Sequence, residues 1–268
     1  MPPASEITIS ASIPANARSE ISKRAAAGRI PWSGPLLLVA ARSVLWLSSQ
    51  CLLALIFLAL RRPAPFQAAG QWWPVYCTLG DLGCLIGLRH FTRREGIRLR
   101  DLIGPIRMRY ARDLFFGLGL LALSYPLLLG GGHLAGALVY GSMARIPMEL
   151  ILQKHSLPLW ATVYSLTVWW PIQSLTEEMT YQGYALPRLQ ALSGHTWVAV
   201  AITGFWFCAQ HCMFPFVADG RYLAFHFLLF LPFLLVWMLL YLRIRRLAPF
   251  VIGHWPMDLG VAIMTMMR

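Results

Sequence analysis

Five ionisable residues interrupt long apolar runs in the C-terminal half of the chain. They are Glu177 and Glu178 in Leu175-Thr-Glu-Glu-Met-Thr-Tyr-Gln-Gly-Tyr, His211 in Phe207-Cys-Ala-Gln-His, and His254 with Asp258 in His254-Trp-Pro-Met-Asp. In hydrocarbon such a side chain costs on the order of 2.5–3.5 kcal/mol, so each is a functional candidate. Asp81 and His226 are weaker candidates, each alone in its apolar run. His254 and Asp258 are four residues apart and share a helix face, as do Glu178 with Gln182 and Glu177 with Tyr181. The adjacent carboxylates point about 100° apart around a helix axis, which predicts two different roles.

One glutamate, two histidines and an aspartate converging from three helices form a set of N and O donors. That set suits a Zn²⁺ centre with a carboxylate base, the ligands being Glu177, His211, His254 and Asp258. A metal-bound or Glu-activated water is the economical nucleophile for an amide in a dry site. His226 reads as a hydrogen-bonded core residue, and Cys208 with Cys212 as small buried thiols.

The elements that must carry these residues follow from composition. Of 268 residues, 57% are hydrophobic and 13% charged, which excludes a water-soluble globule and a disordered chain. Residues 1–30 form a polar N-terminal tail without an apolar signal core. Residues 31–268 are expected to be one membrane-embedded domain. Seven apolar spans can be drawn, at about 36–60, 72–88, 114–138, 159–185, 197–214, 223–242 and 247–267. Backbone groups in lipid must be paired within their own segment, so the fold is all-α, a polytopic helical bundle. Its catalytic residues fall on the last four spans. The glycines 130–132 are expected to end or break the third span, and Arg42 to snorkel from one end of the first.

Twenty-three Lys and Arg against eleven Asp and Glu give a net charge of +12. The basic residues lie between apolar spans, so they read as topology signals and not as a nucleic-acid surface. Their uneven distribution places the N-terminus in the cytoplasm. The expected location is a membrane, the bacterial inner membrane in particular. The basic stretch from Thr92 to Gly104 reads as an amphipathic link on the anionic leaflet or as a solvated loop.

Around these motifs the chain resembles the CPBP intramembrane protease family, also called the CAAX protease and bacteriocin-processing or Abi family. The resemblance covers about residues 160–265. The family pattern Glu-Glu-x-x-x-Arg, Phe-x-x-x-His and His-x-x-x-Asn/Asp reads here as Glu177-Glu178-Met-Thr-Tyr-Gln182, Phe207-Cys-Ala-Gln-His211 and His254-Trp-Pro-Met-Asp258. The resemblance implies an intramembrane endopeptidase, a metalloprotease if zinc is bound. Glu177 would activate water, His211, His254 and Asp258 would bind metal or polarise the scissile carbonyl, and Glu178 would be a supporting acid. Gln182, Phe207 and Tyr181 would support the site. The implied partners are membrane lipid and a peptide or protein substrate, lipid-modified or membrane-bound.

Gln182 stands where the family usually has Arg, which predicts a glutamate pair without its neighbouring cation. Two other readings stay open at this point. One is a non-catalytic scaffold or immunity protein of the same family. The other is a proton-coupled transporter, which would expect an internal repeat that the sequence does not show.

Overall fold

The computed structural model describes residues 15–104, 109–147 and 157–266. The first fourteen residues of the polar tail, Lys154 and Arg268 lie outside the described residues. Everything described is helix, turn or loop, with no strand. In chain order the helices are α1 (Arg18–Ala26), α2 (Ser33–Ala59), α3 (Pro65–Gly70), α4 (Trp73–Arg94) and α5 (Tyr110–Tyr140). There follow α6 over residues 159–193, α7 (Thr196–Gln210), α8 (Gly220–Ile244) and α9 (Ala248–Met266). By length and composition α2, α5 and α8 can cross a membrane. The other four expected spans are occupied by α4, α6, α7 and α9.

Local chemistry sets several of the limits. Pro74 opens α4, where a missing N–H costs no helical bond. The Asp219 carboxylate caps α8 by accepting from the Tyr222 N–H at 2.8 Å. Helix α5 ends at Gly141 and α6 at Gly194, both with positive φ.

The three glycines do not break α5. The helix runs straight through them, and α8 lies so close that a Cβ on Gly131 would stand 2.1 Å from the Leu229 carbonyl oxygen. Further along, Gly253 of α9 meets the Gly117 carbonyl of α5, where a Cβ would sit at 2.8 Å. In a membrane helix small residues serve as packing contacts, which is the physical reason the expected break is absent.

Helix α6 is the element on which the site depends. It consists of α-helical pieces Leu159–Tyr164, Trp170–Glu178 and Leu186–Ser193, joined by π-helical turns at Ser165–Trp169 and Met179–Ala185. The turn that follows the glutamate pair, Gly183 included, is thus π-helical. Such turns insert extra residues and occur often at functional sites. Pro256 likewise lies within an unbroken α9.

The tail and the basic link are built into the fold from residue 15 onward. Arg188, on the last piece of α6, grips Glu95 with Nε to Oε1 at 3.0 Å and Nη2 to Oε2 at 2.9 Å. Its Nη1 donates to the Asn16 side chain and the Gly183 carbonyl. Arg24 of α1 reaches the same Glu95 at 3.3 Å. Both Arg188 and Glu95 are buried.

Candidate active site

Glu177 and Glu178 close the central piece of α6 and are buried, Glu178 completely. His254 of α9 lies between them. Its Nδ1 is 2.9 Å from Glu178 Oε1, and its Nε2 is 3.8 Å from Glu177 Oε1 and 3.5 Å from Asp258 Oδ1. The same Glu178 oxygen accepts from Trp237 Nε1 at 2.8 Å. That oxygen is therefore an acceptor, so His254 Nδ1 is the donor. The adjacent carboxylates thus face opposite edges of one imidazole, Glu178 within hydrogen-bond distance and Glu177 just beyond it. Asp258 is held in turn by the Ser174 hydroxyl, which donates to Oδ2 at 2.6 Å.

The other oxygen of Glu177 faces polar groups on three elements. Gln173 Nε2, one turn earlier, donates to Oε2 at 3.0 Å, and Arg42 Nη2 approaches the same oxygen at 3.4 Å. Arg42 also donates from Nη1 to Asp81 Oδ1 and from Nε to Gln210 Oε1, both at 2.7 Å. Arg42 and Asp81 are fully buried. This corrects one expectation: Arg42 does not snorkel, and its partner Asp81 comes from a different helix.

His211 follows Gln210 at the end of α7. Its Nδ1 lies 2.7 Å from the Phe207 carbonyl oxygen, which can only accept, so Nδ1 carries the proton and Nε2 keeps its lone pair. The ring stacks on Phe230 with centroids 3.7 Å apart. It hydrogen-bonds none of Glu177, Glu178, His254 and Asp258. The structure therefore gathers those four directly, while His211 joins them through Gln210 and Arg42.

The supporting residues divide. Tyr181 stacks flat on Phe207, with centroids 4.3 Å apart and 7° between planes, and donates to the Val39 carbonyl. That ties α6 to α7 and α2. Gln182 is buried, yet neither end of its amide has a hydrogen-bond partner among the described residues. It does not bond Glu178. The cation missing from position 182 reaches Glu177 from α2 instead.

Among the described residues no three of His, Cys, Asp and Glu are arranged to hold a metal ion. One edge of His254 is committed to Glu178, one oxygen of Glu177 to Gln173 and Arg42, and His211 stands apart. The expected zinc set of Glu177, His211, His254 and Asp258 is not assembled in this arrangement. His226, the weaker candidate, bonds the Tyr222 carbonyl at 2.9 Å and packs on that ring, as a core histidine does.

Arg42 was legible in principle. It is the tenth residue of a 27-residue apolar helix, deep enough for the rule that singled out Glu177 to apply equally. Gln173, Gln210 and Trp237 carried no such signal.

Comparison with known proteins bears on the same stretch. Residues 158–260 match the family described as type II CAAX prenyl endopeptidase Rce1-like. This segment is similar to the CPBP family. No curated protein and no solved structure gave a significant match. The Rce1-like segment holds all five ionisable motif residues, and the family points to a protease in a membrane acting on a peptide or protein. Arg42 and Asp81 lie outside it.

Proposed function

We propose that the protein is an intramembrane endopeptidase in which Glu177 activates a water molecule. The observation that carries this reading is the pair of adjacent buried carboxylates facing opposite edges of His254. Glu177 Oε1 makes no hydrogen bond to Arg42 or Gln173, so it is the oxygen available to take a proton from water. The resulting hydroxide adds to the scissile carbonyl carbon. His254, as an imidazolium, donates from both nitrogens, and its Nε2 edge is the one able to reach the developing oxyanion. Glu177 then passes the proton to the leaving nitrogen, the C–N bond breaks, and a carboxylic acid and an amine result.

In this reading Glu178 and Asp258 are positioning groups. Glu178, held by Trp237, sets the ring orientation of His254, and Asp258, held by Ser174, stands beside Nε2. His211 keeps Nε2 as an acceptor for the water or for the scissile N–H. The substrate class is a membrane-anchored peptide, and C-terminally prenylated peptides are the first to test, because the matched family is named for them.

The test is cleavage of such peptides by purified protein in detergent or proteoliposomes. Glu177→Ala should abolish cleavage while the protein stays monodisperse. Retained turnover would remove Glu177 from the reaction and with it this proposal.

A further inference from the structure

We infer that Arg42 is a positioning residue of the active site, so that α2, outside the Rce1-like segment, completes the catalytic centre. This rests on the assignment of Glu177 as base.

The three guanidinium nitrogens of Arg42 reach three different elements: Asp81 on α4, Gln210 on α7 and Glu177 on α6. An ion pair that served folding alone would be complete with Asp81. Here the remaining nitrogens are spent on the proposed base and on the residue beside His211. The guanidinium also lies over the Trp46 ring, 4.6 Å from its centroid, which fixes its plane. The bond lengths give the arrangement a direction. Two contacts of 2.7 Å anchor the group on Asp81 and Gln210, and the 3.4 Å approach presents it to Glu177 Oε2. With Gln173 on the same oxygen, the carboxylate is turned so that Oε1 faces His254. Because Gln210 is the last residue of α7, the same guanidinium ties the position of His211 to that of Glu177. No other described arginine or lysine pairs with either glutamate of the motif, so Arg42 supplies the positive charge that Gln182 cannot.

The experiment compares Arg42→Gln, Arg42→Lys, Arg42→Gln/Gln182→Arg and Asp81→Asn with the parent protein, measuring kcat, KM and apparent Tm in one detergent. Arg42→Gln should lower kcat by about 10²-fold with little change in KM, the scale of a misplaced reacting group. Arg42→Lys should recover part of kcat, since it restores the charge without the fork. Returning the cation at position 182 should recover about tenfold over Arg42→Gln. A folded Arg42→Gln protein with parental kcat overturns the inference. So does a double variant that is folded and no better than Arg42→Gln.

If Arg42→Gln does not fold, Asp81→Asn decides. It leaves Arg42 in place with an acceptor for Nη1 but removes the buried countercharge, so Tm should fall by several degrees in a protein that still folds, and kcat should fall about tenfold. An unchanged kcat would leave Arg42 a purely structural cation. The Glu177→Ala control keeps the two proposals separate. If that variant turns over substrate, the base assignment fails. If it is inactive while the Arg42 series is fully active, only the present inference fails.

Discussion

The Arg188–Glu95 pair supports a prediction independent of any assumption about chemistry. Arg188→Ala removes both contacts to Glu95, the donation to Asn16 Oδ1 at 2.9 Å and the donation to Gly183 O at 3.0 Å. Gly183 O keeps the Asn16 amide at 2.9 Å, but Glu95 Oε1 loses its arginine, and Oε2 is left with Arg24 at 3.3 Å. Breaking a buried pair from one side costs about 3–5 kcal/mol, because the remaining charge stays buried. Loss of the cation–π contact with Tyr184 adds to this. At roughly 2–4 °C per kcal/mol for a chain of this size, apparent Tm should fall by about 6–20 °C.

Removing both charges together should cost much less. Arg188→Met/Glu95→Leu is expected to regain at least half of the lost Tm, since apolar side chains of similar volume often replace a buried pair without penalty. Intrinsic tryptophan fluorescence during heating in one detergent at one scan rate measures both. A single variant within about 1 kcal/mol of the parent would match a surface pair and refute the burial argument. A double variant less stable than the single one would also refute it.

Four further outcomes are expected. Glu178→Gln should lower kcat only about tenfold, because its oxygen can still accept from Trp237 and His254, whereas Glu178→Ala leaves two buried donors unpaired and should cost about 2–6 kcal/mol of stability, read as Tm; equal effects would mean that Glu178 does not orient His254. Gly131→Val should lower Tm sharply or prevent folding, since a side chain there meets the Leu229 carbonyl, whereas Gly130→Ala, which faces open space, should not; similar effects at both positions would refute the close approach of α5 and α8. His211→Ala should lose most activity and His226→Ala little, and the reverse ranking would displace the site. Treatment with a strong zinc chelator should leave turnover unchanged, and loss restored by added zinc would show that the donors regroup around a metal.

Much of the centre could be read before any coordinates existed, because the cost of ionisable groups in hydrocarbon isolates Glu177, Glu178, His254 and Asp258. The contribution of α2 and α4 escaped that reading for a definite reason. Hydropathy ranks a span by its average, so one arginine in α2 and one aspartate in α4 look like separate blemishes until three dimensions pair them. Arg188 reads as a topology signal and Glu95 only as part of a basic link, so neither stands out as half of a buried pair. The glycines of α5 were misread because a chain-breaking rule learned in water was applied where small residues bring helices together. The π-turns left no trace, since α and π turns differ by a residue's register and not by its polarity.

Those two π-turns give α6 an unusual tolerance to changes in length. The glutamate pair sits on a nine-residue piece with a loosened turn at each end. Deleting one residue from Met179–Ala185 would let the α-helix close there, and because a π-turn is an extra residue absorbed into an α-helix, the pieces on either side would keep close to their present facing. Arg188 would stay near Glu95, and the carboxylates would still face His254. A deletion within Ser165–Trp169 would be absorbed in the same way. Single-residue losses at either turn can thus reshape the wall beside the carboxylates while the reacting groups and the anchor at Arg188 hold.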